Sequence, residues 1–195
     1  MNTKTITFAL MMGALGNVLF AISYHAGPLT QGVALDFSLL AAFIAGFYGG
    51  PVLGLVSGFL VGILPGIMFG PMGMGSWLGL IGLPVGKGLT GLTAGVFAKI
   101  LGLAQNKRSS LIAIPVTLLA YVPECIFTYA YFAYLMPFFL GSGGAAIFIY
   151  YILPKALVEI VVMSFFMAAL IGNRGFNSFL NKFFISPQVR SSRSS

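Results

Sequence analysis

Residues Ile147 to Gly172 read IFIYYILPKALVEIVVMSFFMAALIG. At 1.5 Å per residue, about 26 residues make a helix of ~39 Å, enough to cross a ~30 Å hydrocarbon layer. The stretch nevertheless carries Lys155 and Glu159. A charge inside a bilayer costs at least about 2.5–3.5 kcal/mol on the insertion scale, so such a group is paired or functional and faces the protein interior. The remaining composition agrees with a membrane setting. The chain has 195 residues, 58% hydrophobic and 7% charged, whereas soluble domains are about a quarter charged. Mean hydropathy is +1.01. The fold class expected is an all-α membrane protein, six transmembrane helices in one compact bundle over residues 1–172. A basic cytoplasmic tail over residues 173–195, disordered at its Ser/Arg end, follows.

Composition also narrows function. The formal net charge of +7 invites a nucleic-acid reading. The basic residues fall in loops and tails, as the positive-inside rule expects of a protein in a lipid bilayer, so no nucleic-acid partner is predicted. The single cysteine, Cys125, excludes an internal disulfide. The first apolar segment lacks a small-residue cleavage site and reads as a retained helix.

The first helix is expected over Thr5 to Ile22, with Ala9 and Gly13 as a small-xxx-small pair that admits a close neighbour. Ser23 to Leu35 is a polar loop, and Asp36 is placed to cap a short second helix, Phe37 to Tyr48. Gly49, Gly50 and Pro51 break the chain, and glycine then recurs every fourth residue from Gly50 to Gly70. Such a stripe permits close helix packing in lipid. Pro65 is expected to end the third helix, leaving Gly66 to Trp77 as an apolar loop, either a lid or a re-entrant packing segment. A fourth helix, Leu78 to Leu103, leads through the basic loop Ala104 to Ser110 into a fifth, Leu111 to Met136. Pro137 to Ala146 forms a Gly-rich turn before the sixth. Lys4, Lys99, Lys107, Arg108, Arg174, Lys182, Arg190 and Arg193 then share one side, which predicts both termini in the cytoplasm.

Helical rise puts Glu124 ~20 Å above the inner start of the fifth helix and Glu159 ~18 Å below the outer start of the sixth. Lys87 lies ~14 Å below the outer start of the fourth, and Asn17 ~18 Å above the inner start of the first. Lys155 sits one turn outward of Glu159, and Asp36, His25 and Trp77 border the slab from above. Costly groups from four helices thus share one depth, which points to a polar cavity open to the outside. On the bland alternative, Lys155 and Glu159 neutralise each other at i, i+4, and Lys87 and Glu124 do so across helices.

Catalysis is not indicated. Gly86-Lys87-Gly88 lacks the flanking glycine and Ser/Thr of a phosphate loop, no metal-ligand spacing occurs, and Ser76 has no evident base. No cofactor is expected. A channel lacks a repeated polar face, and the chain is short for a free-standing transporter of two inverted repeats. A structural or assembly protein, its ion pairs only locking the helices, remains the main alternative. With no ATP-binding motif, any transport draws its energy elsewhere.

Several segments together resemble the substrate-binding S components of energy-coupling factor (ECF) transporters, which take up vitamins in bacteria and archaea. They are ALMMG (Ala9 to Gly13), LDFSLLAAFIAGFYGGPVLGLVSGFLVG (Leu35 to Gly62), GKGLTGLTAG (Gly86 to Gly95) and LPKALVE (Leu153 to Glu159). The resemblance implies a plasma-membrane protein with a pocket for a small nutrient near the outer face. It also implies partners: a membrane coupling (T) subunit and two cytoplasmic ATPase subunits. An Ala-xxx-Ala pair of the family's first helix touches the coupling subunit, which assigns that contact to Ala9 and Gly13. Several members look like Pro followed five residues later by a ligand-facing Lys; here Pro154 is followed at that spacing by Glu159. With Glu124 this points to a cationic or amine-bearing ligand, a zwitterion being second. The substrate-binding residues expected are Asn17, Asp36, Trp77, Lys87, Glu124, Lys155 and Glu159.

Overall fold

The long apolar runs form helices, which satisfy their backbone polar groups within one segment as lipid requires. A computed structural model describes residues 3–26, 28–30, 33–34, 36–103, 109–141 and 145–184. The basic residues Lys107 and Arg108 and the Ser/Arg end of the tail lie outside them. The order is α1 (Thr3–His25), a two-stranded antiparallel ribbon β1 (Pro28–Thr30) and β2 (Val33–Ala34), α2 (Leu39–Gly49), α3 (Pro51–Val61), α4 (Ile63–Phe69) and α5 (Ser76–Ile100). Then come α6 (Ser109–Ala130), a π-turn (Tyr131–Leu135), α7 (Met136–Leu140), a 3₁₀ turn (Ala145–Phe148), α8 (Ile149–Gly172) and α9 (Arg174–Phe184). In the bundle α5 packs along α2, α3 and α6, α6 packs on α8, and α1 covers α2 and α3.

Among the described residues, five segments are long and apolar enough to cross a membrane: Thr3–His25, Pro51–Phe69, Ser76–Ile100, Ser110–Leu140 and Ala146–Gly172. The helix expected at Phe37 to Tyr48 exists as α2, but its 11 residues rise only about 16 Å, half a hydrocarbon layer. The expected stop at Pro65 is also corrected. The chain bends at Gly62 and continues as α4, with Pro65 in the first helical turn, where no ladder bond is lost. The expected loop Gly66 to Trp77 shrinks to residues 70–75.

The bend is splinted from outside. Asn17 on α1 donates through Nδ2 to the Leu60 carbonyl (2.9 Å) and to its own helix at Gly13 (2.8 Å). Its Oδ1 accepts the Leu64 N–H at 2.9 Å. Leu60 and Leu64 would bond each other in an unbroken helix, so the Asn17 amide stands in for the missing rung.

Glycines set the spacing of α3 and α5. A Cβ on Gly54 would lie 2.0 Å from the Gly91 carbonyl oxygen, and one on Gly58 2.3 Å from that of Lys87. Backbone therefore meets backbone, as the four-residue stripe implies. Ala9 and Gly13 turn the same way. Ala9 is 2% exposed, and a Cβ on Gly13 would come 2.6 Å from Leu60 Cβ. The pair assigned to a coupling subunit thus faces the bundle and seats α1 on α3.

The tail opens with a helix rather than a disordered run. Apolar residues at 176, 179, 180, 183 and 184 recur at helical spacing. Leu180 is buried and the Phe176 ring meets Tyr48 edge-on at 5.7 Å, which lays α9 against α1 and α2.

Candidate functional site: a buried ion cluster

Asp36 stands at the head of α2 and starts the cluster. Its Oδ1 accepts the Ser38 N–H at 2.9 Å, a local turn that leads into the helix. Its Oδ2 accepts from the Lys87 ammonium at 2.6 Å. The same ammonium donates to Ser38 Oγ at 2.7 Å. Lys87 is 2% exposed, so these contacts replace its water shell.

The backbone of Asp36 reaches a second helix: its N–H donates to Glu159 Oε1 on α8. Lys155 Nζ lies 3.2 Å from the same oxygen, an i, i+4 pair within α8. Non-helical backbone at bilayer depth is tolerated where protein groups satisfy it. The 36–38 segment is satisfied in this way, so α2 starts inside the bundle rather than at its surface.

Glu124 on α6 meets the same turn of α5 as Lys87. The Thr90 hydroxyl donates to its Oε2. A Cβ on Gly86 would sit 3.4 Å from Glu124 Cγ and 3.6 Å from Oε1, so α5 runs close beside the carboxylate. Glu124 is 8% exposed and Tyr121, one turn before it, 6%. The expected Lys87–Glu124 pair is not formed: the ion pairs among the described residues are Lys87–Asp36 and Lys155–Glu159. Rotation of α5 about its axis aims Lys87 at the head of α2 instead.

The chain has three acidic residues in all, and they are Asp36, Glu124 and Glu159. All three join this region with two lysines, one carboxyl more than there are lysines to pair with it. Two expected members lie apart. Asn17 is occupied by the α3–α4 bend. Trp77 is 49% exposed and rests edge-on against Phe139 at 5.8 Å. Two members escaped the sequence reading, Ser38 and Thr90. Thr90 stands three residues after Lys87 on the glycine-rich buried face of α5, a spacing that marks it as a neighbour. Nothing local marked Ser38, which also suits an ordinary helix start. Among the described residues no group of three or more His, Cys, Asp or Glu is placed to hold a metal.

Comparison with protein-family models, with curated proteins and with solved structures gives no match.

Proposed function

We propose that the chain is the substrate-binding subunit of an ATP-driven importer of the ECF type, taking up a vitamin or similar small organic nutrient. One observation carries the reading. Every carboxylate the chain has is spent on a single buried region, with two lysines, at the centre of helices otherwise fit for lipid. Isolated structural needs do not concentrate charge so, because each ion costs several kcal/mol to desolvate, about what a well-packed apolar pair would save.

In this reading α2 and the 36–38 segment together make the sixth crossing, both termini are cytoplasmic, and the membrane is a bacterial or archaeal plasma membrane. The nutrient enters from outside, past the segment that bears Asp36. A coupling subunit and two ATPases supply the energy, and the chain itself is no enzyme. Ala9 and Gly13 are turned inward, so the coupling subunit meets another face.

The test is native purification, extraction of bound small molecules and their identification by mass spectrometry, with co-purifying proteins identified alongside. A defined organic molecule near one per protein, together with a membrane partner and ATPases, is expected. The second reading, a structural protein locked by ion pairs, is favoured by the self-contained Lys155–Glu159 pair. An empty protein, not stabilised by any vitamin or amine in a panel, would establish it instead.

A further inference from the structure

A groove of about 100 Å³ lies where α9 crosses α1 and α2. Ile44 on α2 and Leu180 on α9 are buried and form its floor; Met11 and Leu15 on α1 and Phe179 on α9 are exposed and form its rim. Every residue that lines it is apolar. Water gains nothing in such a space, since no polar group is there to bind it. From Phe8 to Leu15 the lining follows α1 for about 10 Å of helical rise. Neighbouring Leu10 and Val18 on α1 are exposed, so the groove opens where the helix meets hydrocarbon. Its walls are fixed by hydrogen bonds. The Tyr48 hydroxyl at the end of α2 donates to Asn177 Oδ1 on α9, and Asn177 Nδ2 donates to the Ile171 carbonyl of α8 at 2.6 Å.

The end of the molecule that bears the groove is basic. Lys4 stands one turn before Phe8 on α1, and Arg174 opens α9. The chain's three acidic residues all belong to the buried cluster, and the ion pairs among the described residues are made there. Lys4 and Arg174 therefore have no carboxylate of the chain to neutralise them. An extended peptide in the groove would leave its backbone N–H and C=O groups unsatisfied, whereas a hydrocarbon chain has none to satisfy. Beside it, cations on an amphipathic helix attract a negative headgroup.

We infer that one acyl chain of an anionic phospholipid seats in this groove and that its headgroup meets the charges of Lys4 and Arg174. The lipid then ties α9 to α1 and makes the start of the tail part of the membrane-embedded body. The inference needs only a bilayer around the helices and does not rest on the binding-subunit reading.

The experiment titrates the full chain, delipidated in detergent, with phosphatidylglycerol and with phosphatidylcholine of the same acyl chains, and counts bound lipid by native mass spectrometry. Phosphatidylglycerol should saturate near one per chain and bind about 10- to 30-fold more tightly, the worth of two basic contacts. Lys4→Gln with Arg174→Gln should bring it down to the phosphatidylcholine level. Met11→Trp, at the exposed rim, puts an indole into the groove. It should weaken both lipids while leaving the unfolding midpoint of the lipid-free protein unchanged. Equal affinity for the two lipids in the wild type, or binding that runs on past one per chain, would overturn the inference. So would a Met11→Trp protein that binds phosphatidylglycerol like the wild type, because basic residues alone would then attract the headgroup with no chain seated. A co-purifying membrane protein lost from Met11→Trp, with lipid binding unchanged, would give the groove to that protein instead. If Met11→Trp does not fold, phosphatidylglycerol with a photoreactive group in mid-chain decides on the wild type: labels on α1 and α9 are expected, and labels elsewhere would overturn the site.

Discussion

Asp36 has three jobs at once: an acceptor for Ser38 N–H, a counter-ion for Lys87 and a backbone donor to Glu159. Replacing it with Asn keeps the first and last and strands Lys87. Breaking a buried pair costs about 3–5 kcal/mol; with the Asp36 side chain 18% exposed, the lower end is expected. Asp36→Asn should therefore unfold at a lower temperature than the wild type; equal thermal unfolding midpoints would refute the ion pair. Asn17→Leu should lower stability by about 1–3 kcal/mol per stranded backbone group, through Leu60 and Leu64, without changing ligand affinity. A loss of affinity at unchanged stability would return Asn17 to the ligand. The charged residues were legible in the sequence because lipid makes them costly. Their partners were not, since pairing depends on how each helix is rotated about its axis. Asn17 shows the same gap: a polar residue in an apolar run was evident, but the bend it serves at Gly62 was not, since the helix was expected to end at Pro65.

Between elements, the α3–α5 contact sets where Lys87 and Thr90 stand, and its tolerance differs residue by residue. Gly54→Ala drives a methyl into the Gly91 carbonyl and should destabilise by about 1–3 kcal/mol or more, since overpacked backbone cannot give way. Gly88→Ala meets the flexible end of Leu55 at 3.3 Å and, at ordinary contact distance, the Leu55 carbonyl oxygen at 3.4 Å and the Phe59 ring at 3.5 Å, and should be neutral, or stabilising by up to about 1 kcal/mol from helix propensity. Equal unfolding midpoints for the two variants would count against backbone-to-backbone packing. Close packing of α3 was readable from the four-residue period; that α5 is its partner was not. The length of α2 was also readable, but its depth was not: that comes from residues 36–38 descending to meet α5 and α8, a contact over 51 and 123 positions of sequence.

For the molecule as a whole, Lys4, Lys99 and Arg174 sit at one end of the bundle, where α1 begins, α5 ends and α9 packs. In the proposed orientation the positive-inside rule puts that end in the cytoplasm. A reporter fused after Ser195 should be active only in the cytoplasm, and activity outside would invert the orientation. The all-helical bundle followed directly from composition and hydropathy, which act at this scale. The helical start of the tail did not, because α9 is a polar-faced helix recognised by its spacing rather than by apolar length.

The second helix has a consequence for biogenesis. It leaves the ribosome early, yet the lysine and glutamate that hold its head are made 51 and 123 residues after Asp36. An eleven-residue apolar helix is too short to be retained in the bilayer by itself. Its final position must therefore wait for α5 and α8, which makes this early element one of the last to settle. A chain stopped after α7 should leave residue 36, changed to cysteine in a Cys125→Ser background, open to a membrane-impermeant thiol reagent, and the complete chain should shield it. Shielding in the shortened chain would show that the head of α2 settles without α8.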